Sequence, residues 1–463
     1  MFPVVSTVVH PAASQSLSVR MHEMRRVLLA GAAFVGALAL PLAASAEEYG
    51  YDYGGYANFS GYLFDQDDFP GSNADDFGFA ADAHLRGRAK VILDDGIELG
   101  VRAQLRFESS EARFSDDNIR GAPQILDKFF IYGQHAFGRI SIGDDYGAAK
   151  QNGIFSPVVS EANRIDDPRH YALQDPLQSD FTPYAPNGAH IRTDLNASGE
   201  ALKIQYASPR LIGLELDVSY TPKLTRGIND LFDGNDEFDR QSNIWEGNLS
   251  FQRSLGGFDF GAYAGYLKGS NERSSVVALP IVAPRLSDGA IVTFLSKPFT
   301  PDDVEEYGFG GQVAYEGFKF GGSWRHTNVA GGGPLQDNDV FPIASTGCSQ
   351  LAGCVLPDAN TEIWGLGLTY ETGPWMFGVN YANLHEELPS YVDTTVIGTP
   401  TRSLSQDAEA WQGTIGYEIG NGVDVYLGYQ HYNFDGPTGQ CSVVACDSMD
   451  ANVGFLQTAF SFP

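Results

Sequence analysis

Apolar and polar residues alternate along most of the chain, in stretches of about ten residues that suit a tilted membrane strand. Alternation with a period of two places successive side chains on opposite faces of a β-strand. The predicted strands cover 53–64, 79–93, 96–107, 125–136, 139–145, 201–207, 214–221, 244–253, 258–267, 305–315, 318–326, 362–370, 375–385, 408–419, 423–434 and 449–462. The hydropathy pattern therefore predicts a chain built almost entirely of β-strands.

The connections between these strands are alternately short and long. Short connections contain glycine, as at 94–96, 316–317 and 420–422, which suits tight hairpin turns. The long connections are rich in Asp, Asn, Pro and Gly and lie at 65–78, 108–124, 147–199, 222–243, 269–304, 328–361, 386–407 and 435–448. Strict alternation sorts the tight turns to one end of a sheet and the long loops to the other. About sixteen strands also make the even number expected of a bacterial outer-membrane barrel.

The sequence thus predicts an all-β fold, a transmembrane antiparallel up-and-down β-barrel with short periplasmic turns and long external loops. In the stretch 96–107, Val101 and Leu105 share one face, whereas Arg102 and Arg106 share the other. An apolar outer face and a polar inner face suit a barrel that has lipid outside and water inside. A secreted soluble β-protein is the weaker alternative, because a sandwich has no reason to sort its loops by length.

The N-terminal residues 1–46 have the features of a secretory signal peptide. Arg25 and Arg26 precede an apolar stretch that ends at Leu42, and small residues then lead to Ala46. This order of basic, apolar and small residues is typical of a cleaved export signal. We expect residues 47–463 to form one barrel domain. Met24 is a second candidate for the translation start, which would make 1–23 an annotation extension.

Charge and composition narrow the function further. The formal net charge of −29 argues against nucleic-acid binding, which requires a basic surface, and suits the attraction of cations. The acidic stretches 65–68 and 230–239 could bind calcium through carboxylates, although solvated acidic loops are the preferred interpretation. We predict no other cofactor. The sequence lacks a Gly-x-Ser-x-Gly nucleophile elbow, and we predict that the protein is not an enzyme.

Four cysteines fall in two close pairs, Cys348 with Cys354 and Cys441 with Cys446. Export permits disulfide bonds, so two local loop disulfides are our first choice. The spacing does not match a zinc site, and no histidine lies close by in the sequence. The sequence alone does not fix which cysteines pair.

The longest polar insert, 147–199, shows neither a strand period nor a helix period, and loops of this length are usually functional or disordered. Its acidic residues are Glu161, Asp166, Asp167, Asp175 and Asp180. Two strands upstream carry basic residues at alternate positions, namely His84, Arg86, Arg88, Lys90, Arg102 and Arg106. Like charges at this spacing repel one another, so they suit a wet lumen or opposing anions. We predict that the insert folds into the lumen and faces this basic wall across a constriction; a solvated charged face without a filter role is the alternative.

Three segments resemble the Gram-negative general porins, particularly those of alphaproteobacteria. FGRISIGDDYG precedes the insert, LKIQYASPRLIGLELDVSYTP follows it and is similar to the porin stretch Y-x-S-P-x-x-x-G, and AFSF resembles the closing aromatic strand. Pro463 departs from the family, which ends on the aromatic residue itself. The resemblance covers essentially the whole mature chain. It implies a third loop that narrows the pore and a homotrimer in contact with outer-membrane lipid and lipopolysaccharide.

We therefore predict a passive, water-filled outer-membrane channel for small hydrophilic solutes and ions. A solute-specific porin is the first alternative, and an aromatic ladder along the lumen would favour sugars, whereas basic residues are predicted there. The second alternative is a barrel that carries an adhesin or an enzyme in its external loops. Such a protein would have a closed lumen and would lose activity when its loops are altered.

Overall fold

The computed structural model describes most of the predicted strands but only part of the long connections. The described residues are 46–67, 76–108, 126–165, 191, 193–196, 198–223, 241–271, 280–284, 291–295, 303–328, 360–391, 402–435 and 449–462. Several predicted features lie outside them: the signal peptide up to residue 45, the acidic stretch 230–239, Asp68, Asp166, Asp167, Asp175, Asp180, Cys348, Cys354, Cys441 and Cys446.

Sixteen strands in the described part of the chain form one closed antiparallel barrel. The first nine are β1 (Ala46–Gln66), β2 (Phe77–Leu93), β3 (Glu98–Glu108), β4 (Leu126–His135), β5 (Gly138–Asp144), β6 (Leu202–Ala207), β7 (Leu214–Lys223), β8 (Gln241–Leu255) and β9 (Phe258–Asn271). After a separate hairpin, β10 (Pro280–Pro284) with β11 (Ile291–Leu295), the barrel continues. Its last seven strands are β12 (Val304–Tyr315), β13 (Phe318–Thr327), β14 (Asn360–Thr372), β15 (Trp375–Tyr391), β16 (Arg402–Gly420), β17 (Val423–Asp435) and β18 (Met449–Phe462). The predicted sixteen-stranded barrel is confirmed.

Three short elements were missed in the long connections. The hairpin of β10 and β11 interrupts the connection that follows β9, and its five-residue strands are too short to show a clear period of two. The described part of the insert contains one helical turn, α1 (Ala148–Gln151), and a 3₁₀ turn at Glu161–Asn163, neither of which the sequence pattern identified. A single turn is shorter than the period that would reveal it. No helix in the described ranges is long and apolar enough to cross a membrane.

Strand β1 closes the barrel by pairing with both β2 and β18. Gly55 pairs with Phe462 in β18, and Leu63 pairs with Phe77 in β2. Residues 46–54 lie before the pairing with β18 begins and continue along β2 as far as Leu93. The strand therefore starts earlier than the predicted residue 53, because cross-strand pairing overrides the glycine-rich local sequence.

Tight turns join the strands at one end of the barrel. In the turn between β12 and β13, Glu316 and Gly317 have φ of 46° and 85°, and Asn421 and Gly422 between β16 and β17 have φ of 55° and 76°. Two successive residues with positive φ are typical of the hairpin turns whose twist matches that of the strands. These turns confirm the predicted short connections.

The two faces of the barrel differ as the alternation predicts. Phe318 and Phe320 are about half exposed on the outer face, whereas Ser323 and Arg325 of the same strand are buried on the inner face. Exposed apolar side chains dominate the outside of every barrel strand from β7 to β18. An apolar outside with a polar inside is the arrangement of a membrane barrel.

Candidate functional site in the lumen

The first part of the insert after β5, residues 147–165, lies against the inner face of the barrel instead of extending away from it. Helix α1 contacts β7, β8 and β9, and the backbone N–H groups of Ala148 and Ala149 donate to Ser219 Oγ (2.9 Å) and Glu246 Oε2 (3.2 Å). Further along, the carbonyl oxygen of Pro157 accepts a hydrogen bond from the Asn380 side-chain amide of β15 (2.6 Å). Residues 147–165 therefore run along the inner surface, and we call the part of β7 to β9, β12 to β18 and β1 beneath them the covered wall.

Asn163 fixes the far end of this path. It is fully buried, and its Oδ1 accepts a hydrogen bond from the Tyr62 hydroxyl (2.6 Å). Its Nδ2 donates to Ser60 Oγ (3.1 Å) and Gln457 Oε1 (2.6 Å), while its carbonyl oxygen accepts from Gln412 Nε2 (2.8 Å). Buried polar groups are costly unless they are hydrogen-bonded, so this saturated amide holds the insert to β1, β16 and β18.

Glycines on the inner face make room for the insert. A Cβ added at Gly310 would collide with the carbonyl oxygen of Ile154, and one at Gly367 would collide with that of Pro157. Other inward glycines whose added Cβ would press on the insert are Gly261, Gly265 and Gly378. Glycine in a strand marks a place where another backbone approaches closely. This glycine pattern was visible in the sequence, and it was not used to predict the path of the loop.

One buried lysine joins the two ends of the insert. Lys203 Nζ on β6 donates to the carbonyl oxygens of Asp145 and Gly199 (2.8 Å to Gly199). Lys128 pairs with the Asp145 carboxylate at 3.2 Å and lies over the ring of Tyr146, 3.0 Å from its centre. Because a charged donor makes stronger hydrogen bonds than a neutral one, Lys203 draws the start and the end of the insert together.

The six predicted basic residues occupy the opposite side of the lumen. Those on β2 alternate with the exposed outer residues of that strand, and the pairing places His84 opposite Arg106 and Arg88 opposite Arg102. We call the inward face of β2, β3 and β4, together with Asp52 near the start of β1, the charged wall. His84 and Lys90 are separated along β2 by about 20 Å, at 3.3 Å per residue. The basic residues therefore form a ladder along the wall and not a ring at one height.

Acidic residues of the charged wall form ion pairs with Arg88 and Lys90, the members of the ladder on β2 nearest the tight turn between β2 and β3. Arg88 forms an ion pair with Asp52 of β1 at 2.5 Å, and Lys90 pairs with Glu98 of β3 at 3.1 Å. The Tyr132 hydroxyl donates to the other oxygen of Glu98 (2.7 Å). Sequence reasoning placed the opposing anions on the insert and did not identify these two acids as partners of the ladder. The sequence did carry a signal for both acids. Glu98 shares a face with Arg102 on the predicted strand 96–107, and Asp52 directly precedes the predicted strand 53–64.

His84 and Arg106, the members of the ladder farthest from that turn, have their own acidic partners, Asp82 and Asp127. His84 Nε2 lies 3.1 Å from Asp82, and Arg106 lies 3.9 Å from Asp127. Gln104, between the two basic residues, donates to Asp127 at 2.5 Å. Asp127 faces inward because the register between β3 and β4 shifts beside it, which an alternation pattern does not predict.

Arg86 and Arg102 differ from the other members of the ladder. Arg86 is exposed and Arg102 is partly exposed, and neither has an ion pair or side-chain hydrogen bond with another residue in the described part of the chain. Glu161, the one predicted loop acid that the structure describes, pairs with Arg164 of the insert at 3.3 Å. The described residues contain no group of three or more His, Cys, Asp or Glu able to hold a metal ion.

The chain was also compared with known proteins. A family model described as Gram-negative porin matches residues 30–437, and a search of curated proteins found no match. A loop-deletion mutant of OmpT, an outer-membrane protein of Vibrio cholerae, is similar with a TM-score of 0.50 at 12% identity, over 89% of this chain and 99% of that one. The trimer form of OmpT has a TM-score of 0.47 at 12% identity, over 90% and 100%. A mutant of the Rh. blastica porin has a TM-score of 0.42 at 12% identity, over 89% and 100%.

Proposed function

Because the chain belongs to the Gram-negative porin family and forms a channel in the outer membrane, we propose that it conducts small hydrophilic solutes and ions by passive diffusion. Solutes pass between the insert and the charged wall and are filtered there by size and charge. The channel performs no chemical step. We further propose that it is a homotrimer surrounded by outer-membrane lipid and lipopolysaccharide.

The observation that carries this proposal is the unequal covering of the inner surface. The insert hydrogen-bonds to the covered wall through Asn163 and Pro157. On the other side, the guanidinium groups of Arg86 and Arg102 have no ion pair among the described residues. A row of charges beside a narrow opening orients polar solutes and sets ion preference. We propose that the predicted loop acids, Glu161, Asp166, Asp167, Asp175 and Asp180, supply the anionic side of the same constriction.

A sugar-specific channel has less support. Aromatic residues do face inward, but Tyr62 and Tyr432 donate hydrogen bonds to the insert, at Asn163 Oδ1 and at the Ile165 carbonyl oxygen. Both are buried, so they do not offer ring faces to a passing solute. An adhesin or an enzyme in the external loops remains the alternative from another class, and it predicts a barrel that conducts no ions.

Single-channel recording tests the proposal. Residues 47–463 would be folded in detergent, checked for the compact mobility of a folded barrel, and inserted into a planar bilayer under a salt gradient. We expect large, ohmic current steps that close in threes. Small steps blocked by one solute would indicate a specific channel. The absence of steps from verified folded protein would reject the diffusion pore in favour of the adhesin or enzyme.

A further inference from the structure

A polar cavity of about 390 Å³ lies on the outside of the barrel, between β15, β16 and β17. Its walls are formed by Asn383, Asp407, Glu409, Trp411, His431, Asn433 and Asp435. These positions alternate with Ala410, Gln412 and Gln430, which are buried on the inner face. The cavity therefore opens toward the membrane side and is separate from the lumen.

Its height on the barrel corresponds to the headgroup region of the outer leaflet. Trp364, Tyr381 and Trp411 form a chain of ring contacts on the same outer face, with centroids 4.8 Å and 4.2 Å apart. Exposed aromatic rings of this kind mark the boundary between lipid chains and headgroups. The cavity lies on the side of this aromatic row that leads to the long connections 392–401 and 436–448. These are the external loops, so its occupant would come from the outer leaflet.

The chemistry of the cavity suits an uncharged, hydroxyl-rich group. Asp407 and Glu409 are acceptors for hydroxyl donors, and Asn383 and Asn433 can both donate and accept. Trp411 is half exposed and offers a flat apolar ring of the kind that lines small-molecule sites. The three carboxylates of Asp407, Glu409 and Asp435 oppose a phosphate group by charge repulsion, and among the described residues neither Lys nor Arg lines the cavity.

Neighbouring hydrogen bonds hold several lining side chains in place. Asp407 Oδ1 lies 2.6 Å from His385 Nδ1, and His431 Nδ1 lies 3.0 Å from Asn452 Oδ1. The Tyr429 hydroxyl also donates to Asn452 Oδ1 (2.5 Å). A cavity with fixed polar groups needs less ordering when a ligand enters. Its volume falls within the range of small-molecule sites, roughly 300–1,000 Å³, and accommodates a monosaccharide headgroup.

We propose that this cavity binds the uncharged sugar headgroup of an outer-leaflet glycolipid. The sugar ring lies against Trp411 and donates hydroxyl hydrogen bonds to Asp407 and Glu409. The lipid chains then extend along the apolar face past Tyr381 toward the centre of the membrane. The site is independent of solute passage through the lumen.

Lipid retention measured by native mass spectrometry tests this proposal. The folded mature protein would be mixed in a non-sugar detergent with a monoglucosyl diacylglycerol or with a phosphatidylglycerol that has the same acyl chains. We expect the glucosyl lipid to be retained about tenfold more tightly, equivalent to roughly 1.4 kcal/mol. Glu409→Gln and Trp411→Leu should each remove this preference. Trp364→Leu, which alters the same aromatic row outside the cavity, should leave it unchanged.

Three kinds of result would overturn the proposal. The first is equal retention of the two lipids, or an equal loss in the Trp364→Leu control, either of which would indicate general attraction to the aromatic row. The second is retention of the phosphatidylglycerol alone when calcium is added, which would indicate a cation bridge to phosphate. The third is full competition by soluble methyl glucoside at the same affinity, which would make a free saccharide the ligand. The near-isosteric Glu409→Gln change keeps the test interpretable if Trp411→Leu fails to fold.

Discussion

The covered wall and the charged wall are built from the same alternating strands, yet their inward residues differ in kind. Beneath the insert the inward positions include glycines, such as Gly310 and Gly367, uncharged amides such as Gln412, and buried charged groups that are hydrogen-bonded or paired, such as Glu246. Across the lumen the inward positions carry full charges, among them Arg86 and Arg102. The comparison shows that the inward residues of each strand match what lies opposite them in the lumen. Glycine and amides accommodate a backbone, whereas charges require water or partner charges.

Two ion pairs sharpen this comparison, because both have an arginine nitrogen 2.5 Å from a carboxylate oxygen. Arg325 and Glu306, on the covered wall, have side chains that are 2% and 0% exposed. Arg88 and Asp52, on the charged wall, are 40% and 56% exposed. Breaking a buried pair leaves an uncompensated charge away from water, whereas an exposed charge is simply hydrated. Equal geometry should therefore give unequal contributions to stability.

The largest predicted effect is the difference between Arg325→Met and Arg88→Met. We expect Arg325→Met to lower the free energy of unfolding by about 3–5 kcal/mol, because Glu306 is left buried without its partner. We expect Arg88→Met to lower it by only about 0–1 kcal/mol. Urea unfolding of the barrel in lipid vesicles, followed by tryptophan fluorescence, measures both values.

The double variant Glu306→Leu with Arg325→Met is the control for this experiment. Replacing both charges with apolar groups removes the unpaired carboxylate, so most of the lost stability should return. A similar loss in the free energy of unfolding for Arg325→Met and Arg88→Met would contradict this assignment, in which the pair on the covered wall is shielded from water and the pair on the charged wall is hydrated.

A second prediction concerns the inward glycines that make room for the insert. The Cβ of Gly310→Val would collide with the carbonyl oxygen of Ile154, and overpacking of this kind costs about 1–3 kcal/mol. We expect the insert to move off the covered wall, which should change the single-channel conductance. Gly413→Val is the matched control, because a Cβ there meets nothing within 4 Å. An unaltered conductance in Gly310→Val would show that the insert does not define the pore width.

Much of the fold could be predicted from local patterns because a membrane barrel repeats one simple rule. Alternating faces and the sorting of connections by length depend on neighbouring residues alone, so the sixteen strands and the tight turns were found. The start of β1 and the hairpin of β10 and β11 were not found. Residues 46–54 are a strand because β2 pairs with them, and the two hairpin strands have only five residues each.

The site was harder to predict because it depends on which strands meet across the barrel. The six basic residues were placed on one inward face by alternation, as the structure has them. Their partners Asp52 and Glu98 come from separate strands, and Asp127 faces inward only through a register shift between β3 and β4. The insert's buried anchor, Asn163, had no recognisable signal. The glycines opposite the insert did carry one, since inward glycine is a mark of close backbone approach.

A third prediction tests the lysine that joins the ends of the insert. Lys203→Met removes the hydrogen bonds to the carbonyl oxygens of Asp145 and Gly199, and hydrogen bonds to charged groups contribute about 1.5–3 kcal/mol. We expect lower stability and greater noise in the open-channel current, because the two ends of the insert separate more freely. Lys319→Met removes a charge from an inward position away from these ends and should leave the noise unchanged. Equal noise in the two variants would assign the effect to charge and not to the closure of the insert.

The smallest structural effect and the most direct test of the charged wall come from Arg86→Ala combined with Arg102→Ala. Neither side chain has an ion pair within the described part of the chain, so we expect little loss of stability. Removing two uncompensated positive charges from the wall should shift the reversal potential under a salt gradient toward cations. Arg88→Ala with Asp52→Ala removes a matched pair of charges from the same wall and should leave the reversal potential in place. If Arg86→Ala with Arg102→Ala also leaves it in place, these arginines are not part of the filter, and the ladder is a solvated face beside a pore whose selectivity is set elsewhere.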